Sequence, residues 1–131
     1  MVKKNLSLYW GSFDPPTFAH KDIILKSFTY SSFVFVIINN NKCKNYLFSS
    51  KKRLIMLKYM FKNYFSIFFL YNYKIFFYIQ NEDNFYDYFK IKQIGNNFLN
   101  VVLGIDVYND WLFILNKKKL INYKYIHIMY R

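Results

Sequence analysis

A short apolar run that ends in a glycine turn, with a helix start behind it, is the feature that most constrains the fold of this chain. The run covers Leu6 to Trp10 and ends in Gly11-Ser12, and a Pro-Pro pair and Thr17 follow. Apolar residues then recur at helical spacing from Ile23 to Phe28. This order predicts a buried strand, a tight turn and a helix that begins near Thr17.

The predicted turn is suited to binding an anion. Gly11 lacks a Cβ, so the backbone there can approach a ligand closely. The helix that follows directs its first N–H groups and the positive end of its dipole at the turn. His20, in the first turn of that helix, can donate a hydrogen bond to a phosphate oxygen. A phosphate group is therefore the ligand that we expect at this position.

Strand and helix patterns alternate along the rest of the chain. Phe33 to Ile38 is a continuous β-branched and aromatic run, typical of a strand covered on both faces. Ser49 offers an N-cap for a helix behind it. The other predicted elements are a third strand at Ile67 to Leu70 or at Lys74 to Ile79, a helix at Asp83 to Ile91, a strand at Phe98 to Leu103, a helix at Val107 to Lys118 and a strand at Tyr123 to Met129.

This alternation predicts the fold class. We expect one domain over residues 1–131: an α/β, Rossmann-like, doubly wound parallel sheet of about five strands with helices on both faces. Ligands of such sheets bind beyond the carboxyl ends of the strands, where the strand order reverses. Gly11 follows such a strand end, so the predicted phosphate turn lies where the fold places its ligand.

Composition argues against several classes of protein. The chain is 54% hydrophobic and 24% aromatic, which is untypical of disorder. Its net charge is +12, but the basic residues are mostly scattered lysines, and Lys, Asn, Ile, Phe and Tyr share A/T-rich codons, so we expect no nucleic-acid partner. The most apolar stretch, Phe65 to Ile79, is interrupted by Asn72 and Lys74 and predicts no membrane span. A lone Cys43 and the lack of an N-terminal signal core indicate a cytoplasmic protein.

The residues of the turn resemble a family signature. Residues 11–20 read Gly-Ser-Phe-Asp-Pro-Pro-Thr-Phe-Ala-His, which is similar to the Gly-x-Phe-Asp-Pro-x-(His/Thr)-x-Gly-His signature of the nucleotidyltransferase superfamily. Ala19 stands in place of a signature Gly, and Trp10 stands where many members have a second Gly. The resemblance implies that His20 and Thr17 donate to the ATP phosphates. It also implies that the nucleotide is bound by Gly11, Ser12, Phe13 and Asp14.

A second stretch looks like the loop and helix after the second strand in nicotinate mononucleotide and phosphopantetheine adenylyltransferases. It contains Lys42 and Lys44 in the loop, and Arg53 before an apolar run, Leu54 to Leu57, in the helix. The resemblance implies that Lys42 or Lys44 stands over the nucleotide phosphates and that Arg53 contacts the substrate. The alternatives are solvated lysines and a surface arginine.

A third stretch, Gly104-Ile105-Asp106 followed by Trp111, is similar to the nicotinate branch. In that branch the Gly-x-Asp loop helps to hold the adenosine and the Trp offers a face to the pyridine ring, and the resemblance implies these roles for Gly104, Asp106 and Trp111. The spacing to Trp111 is shorter than in the family, so a core position is the alternative. Asn81 to Asp87 departs from the helix start that contacts the mononucleotide in the family.

The resemblance implies an enzyme that transfers an adenylyl group from ATP to nicotinate or nicotinamide mononucleotide in NAD biosynthesis, with pyrophosphate as the second product. Mg²⁺ is expected to arrive with ATP, bound through phosphates and water, since the sequence shows no metal cluster of its own. Phosphopantetheine adenylyltransferase, another cytidylyl- or adenylyltransferase, and a nucleotide-binding remnant without turnover are the alternatives.

The family normally continues past the position of Arg131 with a segment that binds the triphosphate from the far side. Half of the usual clamp is then missing, so we expect weak or no activity from residues 1–131. The expected partners are small nucleotides, with neither nucleic acid nor a membrane. Self-association as a homo-oligomer through the last strand is left open.

Overall fold

The chain folds into a five-stranded parallel sheet with helices packed against it. The structure, a computed structural model, describes residues 5–41, 43–80, 98–109 and 123–130. Its strands are β1 (Leu6–Gly11), β2 (Phe33–Ile38), β3 (Lys74–Ile79), β4 (Phe98–Gly104) and β5 (Tyr123–Met129). Its helices are α1 (Phe18–Ser27), α2 (Ser50–Met60) and α3 (Phe65–Leu70), with a 3₁₀ turn at Lys62–Tyr64 and helical residues at 105–109.

The order of the strands in the sheet is β3-β2-β1-β4-β5, and all pairs are parallel. The chain moves outward from β1 through β2 to β3, and then crosses to the other side of β1 for β4 and β5. The strand order therefore reverses between β1 and β4. The sequence predicted a doubly wound parallel sheet of about five strands without its strand order, and the α/β Rossmann-like fold class is confirmed.

Both faces of the sheet carry apolar clusters, because successive side chains of a strand point to opposite faces. Leu8, Trp10 and Leu103 belong to one cluster, which the helical residues at 105–109 join through Val107. The other cluster includes Tyr9 and the buried apolar side chains of α1, α2 and α3. Every residue of β1 is buried, as expected of the central strand of a sheet covered on both sides.

Most elements lie where the sequence predicted them. The bounds of β2 and β5 agree with the prediction, and β1 and β4 each extend one residue further, to a glycine. The predicted helix at Asp83 to Ile91 lies outside the described residues. Helical residues begin at 105, two positions before the prediction, and the rest of the helix predicted to Lys118 also lies outside the described ranges.

The third strand is Lys74–Ile79, so the alternative strand at Ile67 to Leu70 is wrong. Those residues belong to α3, where Phe68 is buried beside Phe61 and Phe28 while its neighbours in sequence face outward. The α3 helix has only six residues, and none of the helices within the described ranges has the length and hydrophobicity needed to cross a membrane.

Candidate active site

A cavity of about 430 Å³ opens at the carboxyl ends of β1 and β4, beside the first turn of α1. Gly11 ends β1 and Gly104 ends β4, so the cavity lies where the strand order reverses. This is the position at which ligands bind to sheets of this kind. The cavity is lined by Tyr9, Gly11, Ser12, Asp14, Pro15, Thr17, Ala19, His20, Ile23, Gly104, Ile105, Asp106, Met129 and Tyr130.

The turn after β1 is shaped by a buried aromatic residue. Phe13 has a φ of 52°, in the left-handed region that costs free energy for a bulky side chain. Its ring is fully buried, 5.0 Å from the ring centroid of Tyr9 and 4.9 Å from that of His20. Packing beneath the turn therefore offsets the cost of its conformation and holds its backbone in place. The ring lies in the core, so any part that Phe13 plays in nucleotide binding would act through the backbone.

Gly11 has a packing role that the sequence did not reveal. A Cβ on Gly11 would lie 3.3 Å from two atoms of the Phe13 ring and 3.4 Å from the Tyr9 ring. The small size of this residue therefore makes room for the two rings under the turn. Close approach of a ligand to Gly11 stays a prediction, and the residue does line the cavity.

Thr17 and His20 form a capping box at the start of α1. The N–H of His20 donates to Thr17 Oγ1 at 3.4 Å, and the N–H of Thr17 donates to His20 Nδ1 at 2.9 Å. A ring nitrogen that accepts a hydrogen bond carries no proton, so a neutral His20 carries its proton on Nε2. The cap and the edge contact with Phe13 together fix the orientation of the imidazole on the cavity wall.

The first turn of α1 adds a partial positive charge to its own part of the cavity wall. The helix has no acidic residue in its first turn, so the partial positive charge of its N-terminus is not neutralised there. Thr17, Ala19 and His20 all line the cavity, which brings this helix end to its wall. An anion such as a phosphate is favoured at this position.

Ser12 and Asp106 join the two halves of the site across 94 positions of sequence. The Ser12 hydroxyl donates to Asp106 Oδ2. Asp106 lies in the helical residues that directly follow β4, and both residues line the cavity. A Cβ on Gly104 would lie 2.7 Å from Asp106 Oδ1, so the lack of a side chain at Gly104 gives the carboxylate its place. The structure thus brings Ser12, Gly104 and Asp106 together at one cavity, and their contact with a nucleotide stays a prediction.

Asp14 holds the loop between β2 and α2 against the turn. Its two carboxylate oxygens accept hydrogen bonds from the backbone N–H groups of Leu47 and Phe48, the latter at 2.8 Å. Backbone amides at a carboxylate are strong, charge-assisted partners. Asp14 also lines the cavity, so a contact with nucleotide stays a prediction, but its structural role in the loop is evident.

We expect Asp14→Ala to lower the free energy of unfolding by about 1–3 kcal/mol, because the Leu47 and Phe48 amides lose a charged acceptor. Urea denaturation measures this change. Asp22→Ala is the matched control, since Asp22 is an exposed carboxylate on α1 and should change stability by no more than about 0.5 kcal/mol. Equal stability of the two variants would show that the Asp14 contacts contribute nothing.

The surface position considered for Arg53 is wrong, because the side chain is 0% exposed. Its Nη1 donates to the carbonyl oxygens of Ser12 and Asn39, both at 2.7 Å, and its Nε donates to that of Phe48 at 3.0 Å. The ring centroid of Tyr46 lies 4.0 Å from the guanidinium carbon. Desolvation lowers the pKa of Arg53, while Tyr46 and Asp14 act in the opposite direction. Arg53 does not line the cavity, so the structure does not support the predicted contact between Arg53 and the substrate.

The remaining predicted site residues are less directly placed. Lys44 lies half-buried in the β2–α2 loop, where its N–H donates to the carbonyl of Asn41 at 3.1 Å, and it does not line the cavity. Its role above the phosphates stays a prediction. Lys42 and Trp111 lie outside the described residues, as does the segment from Asn81 to Asp87.

Sequence reasoning missed several residues of the cavity wall. Tyr9, Ile23, Met129 and Tyr130 complete the lining, and the first of these contributes although it lies inside a buried strand. Alternation along β1 could have identified Tyr9, because it points to the face that α1 covers. Met129 ends β5, two strands away from β1, and only the observed strand order brings it to the site.

No group of three or more His, Cys, Asp or Glu side chains that could hold a metal ion occurs within residues 5–41, 43–80, 98–109 and 123–130. Asp14 and Asp106 are the carboxylates that line the cavity, and both accept hydrogen bonds from the protein.

A family model described as cytidylyltransferase-like matches residues 8–128 of the chain. Two phosphopantetheine adenylyltransferases are similar to shorter parts of it. The enzyme of Petrotoga mobilis is 44% identical over 50 residues, which is 38% of this chain and 31% of that protein. The enzyme of Pelagibacter ubique is 38% identical over 55 residues, or 42% of this chain and 34% of that protein. The chain thus spans about a third of the length of the curated relatives that it matches.

A solved structure has a similar fold. It is the nicotinic acid mononucleotide adenylyltransferase of Plasmodium falciparum complexed with NaAD. The TM-score is 0.61, the match covers 98% of this chain and 76% of that chain, and the sequences are 18% identical. At this identity the similarity establishes the fold and leaves the acceptor substrate open.

Proposed function

The chain belongs to the cytidylyltransferase-like family, and we propose that it transfers an adenylyl group from ATP to the phosphate of a small acceptor. The observation that carries the proposal is the cavity at the reversal of strand order, with the capped N-terminus of α1 and the imidazole of His20 on its wall. A helix N-terminus and a fixed ring N–H suit a polyphosphate, whose charge they would help to neutralise.

The reaction needs no nucleophilic side chain. A phosphate oxygen of the acceptor would attack the α-phosphorus of ATP, forming a new P–O bond while the bond from the α-phosphorus to the bridging oxygen breaks and pyrophosphate leaves. Catalysis would then consist of positioning the two substrates and stabilising the negative charge of the transition state. His20 Nε2–H and the hydroxyl of Thr17 are the groups that we assign to the phosphates, with Lys44 or Lys42 as the neighbouring cation.

We assign the binding of adenosine to the part of the cavity at the end of β4. Asp106 is held by Ser12 and follows Gly104 at the end of β4, so it belongs to the part of the lining that lies beyond β4. A carboxylate accepts hydrogen bonds from ribose hydroxyls or an amino group. Mg²⁺ would be carried with ATP and would supply charge neutralisation at the phosphates, with water as its other ligands.

For the acceptor we propose nicotinate mononucleotide, and nicotinamide mononucleotide as its amide form. The support is the Gly104-Ile105-Asp106 pattern at the end of β4, which is similar to the nicotinate branch, and a fold shared with a nicotinic acid mononucleotide adenylyltransferase. NAD biosynthesis is the process in which such an activity would act.

Phosphopantetheine is the second candidate acceptor. The observation that favours it is the sequence identity of 36–44% to phosphopantetheine adenylyltransferases, which is higher than the 18% identity to the solved mononucleotide enzyme. That similarity extends over 50–63 residues, less than half of the chain, and so supports the nucleotide-binding chemistry more than the choice of acceptor.

An acceptor panel tests both proposals. Purified chain is incubated with ATP, Mg²⁺ and one acceptor at a time: nicotinate mononucleotide, nicotinamide mononucleotide or phosphopantetheine, with CTP and glycerol 3-phosphate as a further pair. Pyrophosphate release is the readout, and we expect it with ATP and a mononucleotide. Release only with phosphopantetheine would support the second candidate. Calorimetric binding of ATP without pyrophosphate release in any combination would contradict the proposed enzyme and favour a nucleotide-binding protein.

A further inference from the structure

A single buried guanidinium connects three backbone segments at the edge of the sheet where the cavity opens. Arg53 lies in the first turns of α2, and it reaches the carbonyls of Ser12, Asn39 and Phe48 at 2.7, 2.7 and 3.0 Å. Ser12 follows β1, Asn39 follows β2, and Phe48 precedes the N-cap of α2. The Arg53 side chain therefore links these three segments and fixes the distances between them.

The loop of residues 39–48 is held at both ends by this arrangement. Asn39 accepts from Arg53 through its carbonyl, and its N–H donates to the carbonyl of Gly11 at 2.8 Å. At the other end, the Tyr46 ring stacks on the guanidinium and its hydroxyl accepts from the N–H of Asn41 at 2.9 Å. Lys44 lies between these anchored positions.

We propose that Arg53 is a positioning residue, which fixes the 39–48 loop and its Lys44 against the Ser12 turn for phosphoryl chemistry. It acts through backbone carbonyls and does not touch the substrate. The part that concerns Lys44 rests on the proposed adenylyl transfer. Arginine suits this task because its rigid fork can donate to several acceptors at once, whereas a lysine ammonium acts as a single point charge on a flexible stem.

Catalytic coupling between Arg53 and Lys44 is the first test. We expect Lys44→Ala to lower kcat in the native chain. In the Arg53→Met background the fold-decrease caused by Lys44→Ala should be smaller by a factor of roughly five or more, because the lysine is then already misplaced. Leu57→Ala is the matched control: Leu57 is buried on the same helix, one turn after Arg53, and belongs to the core under the sheet. In that background Lys44→Ala should keep its full effect on kcat.

An unchanged effect of Lys44→Ala in the Arg53→Met background would overturn the proposal. If Arg53→Met does not fold, Arg53→Lys takes its place in the experiment. We expect the kcat of Arg53→Lys to stay below that of the native chain, although lysine keeps the positive charge. Restoration of full kcat by lysine would likewise contradict the geometric role, because a lysine cannot hold three carbonyls in the same way.

Hydrogen exchange provides a readout that does not depend on turnover. The amides of Asn39, Leu47 and Phe48 are hydrogen-bonded to the turn that contains Gly11 and Asp14. Under conditions in which all variants are folded, Arg53→Met or Arg53→Lys should accelerate exchange at residues 39–48, and Leu57→Ala should not. Equal exchange in all variants would overturn the positioning role. Accelerated exchange in a chain that shows no adenylyl transfer would instead uphold that role and contradict the proposed function.

Discussion

Replacing His20 with alanine is expected to lower kcat for adenylyl transfer by roughly 10²–10³-fold, the range measured for the loss of one preorganised hydrogen-bond donor. The expected loss is large because the imidazole is held in one orientation before any ligand binds. Thr17 donates its N–H to Nδ1, and Phe13 packs against the ring. The Nε2–H group can then stabilise the negative charge of the transition state without an entropic cost for ordering the side chain. Steady-state kinetics with ATP and the active acceptor measures the effect.

His20→Gln separates the catalytic role from the capping role. Glutamine is a usual third helical residue in a capping box, so its side chain can still accept from the N–H of Thr17. His20→Ala removes the bond from the Thr17 N–H to Nδ1, whereas Thr17 Oγ1 still accepts from the backbone N–H of residue 20. We expect His20→Ala to lose about 0.5–1.5 kcal/mol of stability, and His20→Gln to lose less, while both lose most of kcat. Normal turnover by His20→Ala would contradict the catalytic assignment, and normal turnover by His20→Gln alone would reduce His20 to a cap.

The fold was predictable wherever local patterns and long-range packing agree. Phe33–Ile38 is a continuous β-branched and aromatic run, Tyr123–Met129 alternates apolar residues, and both form strands. The error at Ile67 to Leu70 arose because Phe-Ser-Ile-Phe-Phe-Leu has high β-propensity. Tertiary contacts decide otherwise there: Phe68 on α3 packs against Phe61, which follows α2, with ring centroids 6.5 Å apart, and both residues belong to the same core.

The candidate site was predictable where it follows from the strand–turn–helix motif, and less so where it depends on backbone partners. The signature predicted Gly11, Thr17 and His20, which line one cavity. The position of Arg53 could not be predicted from the sequence, because its partners are carbonyl oxygens, which every residue possesses. Asp14 likewise bonds two backbone amides. Such contacts leave no pattern of residue types along the chain.

Gly104→Ala is expected to weaken ATP binding by about tenfold or more while the fold stays intact. The new Cβ would lie 2.7 Å from Asp106 Oδ1, so the carboxylate must move away from its place beside Ser12. That movement costs the sheet little, since only the end of a side chain shifts. The nucleotide loses more, because a hydrogen bond to a charged group contributes about 1.5–3 kcal/mol, which corresponds to at least tenfold in affinity. Calorimetric titration with ATP and thermal unfolding of the same sample measure the two expectations together.

The double variant shows whether the loss runs through Asp106. If Gly104→Ala acts by displacing this carboxylate, then Asp106→Ala should weaken ATP binding to a similar extent, and adding Gly104→Ala to it should change affinity little further. Additive losses would mean that the methyl group obstructs the nucleotide itself, since Gly104 also lines the cavity and approaches Gly11 Cα to 3.9 Å from the same Cβ position. Undiminished ATP affinity in Asp106→Ala would show that this carboxylate does not bind the adenosine. Its contact with Ser12 would then serve only as a structural link between β1 and β4.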